Sequence, residues 1–186
     1  MRQSGIFGRV AAVIGFVMLG VSVLSISRVH AANAIDPAVV KHFQYLSTNG
    51  NSNCSQAFLD AIAGMPADAR LQGSCCSPMK LDRYAKQLEG LKKYRAFTEI
   101  PANPYDIEAP LAQEAMARYQ LVLSPAEQKA YDYAMAHSDE HGPCCCKCWR
   151  WRVYGGLAKL LIHDRGFTGA QITEIWNLSD GCGGDA

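Results

Sequence analysis

Four of the chain's eight cysteines fall within five residues, in the run His141-Gly142-Pro143-Cys144-Cys145-Cys146-Lys147-Cys148-Trp149. So dense a cluster restricts the fold more than any other feature of the sequence. Neighbouring cysteines on a regular element point in different directions, so each sulfur needs its own partner or the backbone must be irregular. If all eight cysteines formed disulfides, then Cys54, Cys75, Cys76 and Cys182 would have to converge on this one place. The sequence alone does not choose among the many pairings that eight cysteines allow.

The N-terminus bears on the redox setting. Arg2 and Arg9 introduce an uncharged apolar stretch from Val10 to Ile26. Small residues follow, with two cleavage patterns at Val29-His30-Ala31 and Ala32-Asn33-Ala34. This is the order of a secretory signal peptide, so the expected location is the periplasm or another extracytoplasmic space, with the protein secreted. The alternative is an uncleaved anchor, because the stretch approaches the roughly 20 residues of a spanning helix. A membrane is an expected partner only in that case. No cysteine lies near the junction, so a lipid-anchored form is not expected.

Removing residues 1–31 takes away Arg2, Arg9 and Arg28 and no acid, leaving 15 basic against 17 acidic residues. A mildly acidic chain without a basic stripe gives no electrostatic reason for nucleic acid as a partner. The remaining domain of about 150 residues is large enough to fold on an apolar core alone. Disulfide staples are therefore possible but not required, which leaves room for thiols with another task.

Helix signals dominate this domain. Asp36-Pro37 opens a helix to about Leu46, and Cys54 to Ala63 reads as a short helix ending at Gly64. Leu81, Tyr84, Leu88 and Leu91 recur at helical spacing after a start at Ser77-Pro78. Residues Ile100 to Pro110 read as an extended connection, followed by a helix from Ala112 to Leu121. Ser124-Pro125-Ala126-Glu127 and Thr168-Gly169-Ala170-Gln171 are capping boxes, and Phe167 can staple onto Ile172. Between them Val153, Leu157, Leu160 and Leu161 mark a long helix that stops at Gly166. No strand run is evident. The fold class expected is all-α: a single compact domain of about six or seven helices after the signal segment. The segments are 1–34 signal or anchor, 35–178 helical cysteine-rich domain, and 179–186 flexible Gly-rich tail.

The cysteine run lies between two helices. If the second begins near Pro143, Cys144 and Cys148 are i,i+4 neighbours and Cys146 points elsewhere. Thiols in a first helical turn feel the positive end of the dipole, and Lys147, Arg150 and Arg152 add positive charge. Both favour the thiolate, the form that binds metal or attacks disulfides. Thiolates select soft ions: Cu(I) first, with Zn, Fe–S clusters and Hg(II) by the same argument. Candidate ligands are Cys144, Cys145, Cys146 and Cys148, with Cys75, Cys76, Cys182 and His141, and further off Met79 and His137. Gly73-Ser74-Cys75-Cys76-Ser77-Pro78 repeats the pattern of cysteines ahead of a proline and is the best second half-site. Cys145 and Cys148 have C-x-x-C spacing, but Trp149 follows where haem attachment needs His, and a thioredoxin-like role needs a βαβ context. No paired-carboxylate or Ser/His/Asp arrangement stands out, so the expectation is a binding protein rather than an enzyme.

Pro143-Cys144-Cys145-Cys146-Lys147-Cys148 also resembles the signature of the exported bacterial proteins named for their PCYCGC motif. Pro143, Cys144, Cys146 and Cys148 match, while Cys145 replaces the motif's Tyr and Lys147 its Gly. The flanks are similar as well: Tyr131-Asp132-Tyr133-Ala134-Met135 before, and an Ala/Leu-rich helix, a glycine turn and an Ile-x-x-Ile helix after. The likeness covers about residues 124–178. The chain departs from the family in lacking a lipobox and a further cysteine pair after the motif. The resemblance implies export and a metal or thiol role, and it groups Cys144, Cys146 and Cys148. Helical phase instead groups Cys144, Cys145 and Cys148, so where the helix begins decides between them.

The leading expectation is an exported protein that binds a soft metal ion, Cu(I) first, for sequestration or delivery to a metal-delivery or redox partner protein. A disulfide-stapled interaction module and a thiol–disulfide oxidoreductase using Cys145 and Cys148 are the alternatives.

Overall fold

The computed structural model describes residues 35–183. The signal segment expected over 1–34 lies outside the described residues. Seven α-helices form the described domain: α1 Pro37–Asn49, α2 Gln56–Ile62, α3 Leu81–Leu91, α4 Ala109–Arg118, α5 Pro125–His137, α6 Trp149–Arg165 and α7 Gly169–Ser179. A 3-10 turn, Lys92–Tyr94, extends α3. The all-α expectation holds, with one addition. Strands β1 Arg70–Gln72 and β2 Asp106–Glu108 pair antiparallel, with Leu71 opposite Ile107. Each has only three residues, too few to display an alternating pattern in sequence.

Local signals set several helix ends. Asp36 accepts a hydrogen bond from the Ala38 amide at 2.8 Å. Both capping boxes form, Ser124 with Glu127 and Thr168 with Gln171. Gly166 closes α6 in the left-handed conformation. Two expected starts are corrected. Helix α3 begins at Leu81 rather than Ser77-Pro78, and Lys80 at its N-cap makes no side-chain cap bond. Helix α4 begins at Ala109 rather than Ala112, because Pro110 fits the first turn, where its missing N–H costs nothing. The start of helix α6, left open by the sequence, is Trp149, after the cysteine run.

Helix α6 is the central element. Eleven of its 17 residues are buried, so it lies inside the domain rather than on its surface. Helix α4 crosses it on a face of small residues, Ala109, Ala112 and Ala115. The approach is close enough that a Cβ at Gly156 would overlap the Ala115 carbonyl. On the other side α5 packs against α7, with Tyr131 edge-on to Trp176 at 5.5 Å between ring centroids. Phe167 and Ile172 are both buried, as the staple requires. A smaller apolar cluster of Leu46, Met79, Tyr84 and Tyr105 joins α1 to α3.

The stretch after α7 differs from the flexible tail read from its glycines. Asp180, Gly181 and Cys182 are buried. Gln87 and Tyr105 donate to the Asp180 carbonyl, and Arg83 pairs with its carboxylate. The Cys182 carbonyl accepts from the amides of Cys76 and Ser77 at 3.3 and 2.8 Å. Composition suggested mobility, but backbone hydrogen bonds fix the chain as far as Cys182. Among the described residues no helix is long and apolar enough to cross a membrane.

Candidate metal centre

Four loops carry the cysteines to one end of the domain. Cys54 lies just before Ser55, the N-cap of α2. Cys75 and Cys76 lie between β1 and α3, and Cys182 follows α7. Cys144, Cys145 and Cys146 lie in the α5–α6 loop, and Cys148 is the N-cap of α6, with extended backbone and no side-chain cap bond. The run is therefore irregular chain throughout. The helical-phase grouping does not apply, and alternate residues can turn inward together.

Specific contacts bring the loops into register. The amides of Asn51 and Ser52 both donate to the Gln72 carbonyl at 3.0 Å, and Ser52 Oγ donates to the Gly73 carbonyl at 2.9 Å. Gly73 has φ +80°, and a Cβ there would lie 2.8 Å from the Gly50 Cα. Only glycine allows both the conformation and the approach, which hold the Cys54 loop against the Cys75-Cys76 loop. From the interior, Arg150 donates to the carbonyls of Gly73 and Pro104 at 2.9 and 2.5 Å. It thereby fixes the first turn of α6 to the same loop.

No disulfide bond joins any of the eight cysteines, and their sulfurs form one continuous patch. Cys54 Sγ lies 2.9 Å from Cys76 and 3.6 Å from Cys146, and Cys76 lies 3.6 Å from Cys146. Cys75 lies 3.6 Å from Cys76 and 4.0 Å from Cys148. Cys144 lies 3.9 Å from Cys148 and 2.6 Å from Cys182. For comparison, a metal–sulfur bond of about 2.3 Å places the sulfurs of a tetrahedral site about 3.8 Å apart. Three sets of four sulfurs each lie within 4.8 Å of one another: Cys54/Cys75/Cys76/Cys146, Cys75/Cys144/Cys146/Cys148 and Cys76/Cys145/Cys146/Cys182.

The second set contains Cys144, Cys146 and Cys148 together, the grouping implied by the motif resemblance. Cys145 and Cys148, the C-x-x-C pair, share none of the sets. His141 is exposed with φ 48° and belongs to no set. Met79 lies in the small apolar cluster, and His137 stacks on Tyr133, so neither joins the sulfurs. Cys54 was not among the candidate ligands read from sequence. Its position ahead of a helix, like that of Cys75 and Cys76, was the available signal. A fourth set joins Cys144 and Cys182 to Asp180, but both Asp180 oxygens are engaged, one by Arg83 and one by the Cys182 amide.

Burial grades across the patch. Cys144, Cys148 and Cys182 are buried, Cys75 and Cys146 are half-buried, and Cys54, Cys76 and Cys145 are exposed. One cation acts from the buried side. Arg150 is fully buried, its guanidinium 4.4 Å from the Trp149 ring centroid, with no carboxylate ion pair among the described residues. Burial opposes its charge, while Tyr154 and the thiols Cys75 and Cys144 favour it. Lys147 and Arg152, also expected to act on the thiols, lie instead over the rings of Trp151 and Tyr119.

The thiols do not share charge evenly. Hydrogen bonds from Cys144 and Cys148, with the Arg150 charge behind them, bring Cys75 down to about 6. A hydrogen bond from Cys144 brings Cys182 down to about 7. Cys144, hydrogen-bonded to Cys148 and Cys182, is pushed well up. The thiolate form is thus favoured at Cys75 and Cys182, with neighbouring thiols hydrogen-bonded to them. A metal ion would supply the positive charge in place of the thiol protons.

The chain matches no protein-family model, no curated protein and no solved structure. The cysteine cluster could hold a metal ion on its geometry alone.

Proposed function

We propose that the protein is an extracytoplasmic binder of soft metal ions, with Cu(I) the preferred ion, that sequesters the metal or delivers it to a partner protein. The observation that carries this reading is the convergence of eight thiols from four loops on one patch. A fold that merely needed staples has no reason to bring every sulfur to one end of the domain. The donor set is sulfur throughout, apart from one already engaged carboxylate, and all-thiolate sites favour soft ions. Cu(I) comes first because it accepts low coordination numbers, so eight sulfurs can hold several such ions.

Arg150 supports the thiolate form. A buried guanidinium without a carboxylate partner is costly unless negative charge lies nearby, and thiolates provide it where disulfides would not. The signal-like N-terminus and the resemblance to the PCYCGC proteins favour export. In an oxidising compartment bound metal would protect the thiols from oxidation. The exposed sulfurs of Cys54, Cys76 and Cys145 offer an edge where a donor or acceptor could exchange ligands with the site.

The test is competition. Reduced protein, handled without oxygen, is mixed with a coloured Cu(I)–chelator complex and the chelator's absorbance followed. The wild type is expected to strip copper from the chelator. A variant with Cys75, Cys144, Cys146 and Cys148 all changed to Ser, checked for retained helical circular dichroism, is expected to strip far less. If the wild type leaves the chelator fully loaded, the reading is wrong.

A further inference from the structure

We infer that the sulfur patch holds more than one ion at a time, with Cys146 a bridging thiolate and Cys75 beside it in the same role. The inference rests on the soft-metal reading and extends it within the same site. Its basis is how the three four-sulfur sets overlap. Cys146 belongs to all three, while Cys75 and Cys76 each belong to two. No two of the sets are disjoint, so two ions with four sulfurs each can be accommodated only if they share Cys146.

The sharing has a direction. The set Cys54/Cys75/Cys76/Cys146 includes the exposed Cys54 and Cys76, and Cys75/Cys144/Cys146/Cys148 includes the buried Cys144 and Cys148. The two half-buried sulfurs, Cys75 and Cys146, are the pair common to both. Two tetrahedra joined along that edge, with metal–sulfur bonds of about 2.3 Å, place their ions on the order of 3 Å apart. Sulfur separations in the outer set are 3.6 Å for Cys54–Cys146, Cys76–Cys146 and Cys75–Cys76, with Cys54–Cys76 shorter at 2.9 Å, and in the inner set 4.0 and 3.9 Å for Cys75–Cys148 and Cys144–Cys148. An ion admitted at the exposed sulfurs thus shares ligands with the buried position.

The arrangement also ranks the cysteines. Losing Cys146 leaves none of the three sets complete, whereas losing Cys145 leaves the outer and inner sets intact.

Cadmium is the probe, because 113Cd nuclei bound to one sulfur couple through it. The full secreted chain, reduced and loaded with 113Cd(II), is expected to give at least two resonances in the range of sulfur coordination. Mutual splitting between them would report the bridge. Cys145→Ser should keep the split pair. Cys146→Ser should lose it, together with most of the bound cadmium. The wild-type spectrum alone decides the matter if Cys146→Ser fails to fold. A single bound ion, or several with no mutual splitting, would overturn the bridge and leave the soft-metal reading standing. No cadmium bound at all would overturn both.

Discussion

Arg150 donates a hydrogen bond to the Gly73 carbonyl at 2.9 Å, linking the first turn of α6 to the loop that carries Cys75 and Cys76. The contact joins the two densest cysteine segments from beneath, through a side chain with no exposed surface. It performs two tasks, aligning the loops and placing a positive charge behind the sulfurs.

Arg150→Met removes both at once. The variant loses two charge-assisted bonds to carbonyls, those of Gly73 and Pro104, and gains relief from burying a cation. The expected net effect is a loss of about 2–4 kcal/mol in urea unfolding of the metal-free protein. Soft-metal affinity should fall as well, since the thiolates lose their interior counter-charge. Stability and affinity equal to wild type would contradict this role for Arg150.

The closest sulfur pairs are Cys144–Cys182 at 2.6 Å and Cys54–Cys76 at 2.9 Å. Metal-free protein treated with oxidised glutathione should form these two disulfides first. Each bond gives two electrons and two protons to the oxidant, which leaves as two molecules of reduced glutathione. Peptide mapping reads the links directly. Dominant Cys145–Cys148 linkage would point to the oxidoreductase alternative instead. Protein loaded with Cu(I) beforehand should resist the treatment.

Gly156→Ala tests the seam between α4 and α6. The added Cβ would meet the Ala115 carbonyl, a backbone atom that cannot swing aside. The helices must separate, at a cost of about 1–3 kcal/mol. This should appear as a lower urea midpoint at unchanged slope. An unchanged midpoint would mean that the two helices are less tightly apposed.

Glu174 gives a pH dependence away from the thiols. A hydrogen bond from Lys93, with another from Tyr94, holds its carboxyl below the ordinary 4.5, against a smaller opposing effect of burial. A lowered folded-state value means that the stability it contributes is present above about 4.5 and lost as pH falls through that lowered value. Glu174→Gln should therefore flatten the acid side of the stability profile below that point and leave its slope near neutrality unchanged. A variant with the wild-type acid limb would assign the loss to other carboxylates.

Where the structure could be read from sequence, the signal was local. The Ser124/Glu127 and Thr168/Gln171 boxes name their own partners within four residues, and both helices start where those residues put them. Helix α3 lacks such a signal: Lys80 makes no cap bond, so the neighbouring Ser77-Pro78 suggests a start several residues early. The glycines around Cys182 suggest a mobile tail. The Cys182 backbone is in fact held by Cys76 and Ser77, more than a hundred residues earlier in the chain. Cys54 joins the site through the contact of Gly50 with Gly73, which no sequence window spans. The density of thiols identified the site in the sequence. Its full membership depended on tertiary contacts.

The most direct test of the central claim counts metal and thiols on the same molecules. Reduced protein is loaded with Cu(I) without oxygen, treated with an alkylating reagent and weighed intact by native mass spectrometry. The account predicts several copper ions per chain, with the cysteines of the patch protected from alkylation until a strong chelator removes the metal. A copper-free chain with every cysteine alkylated would contradict it.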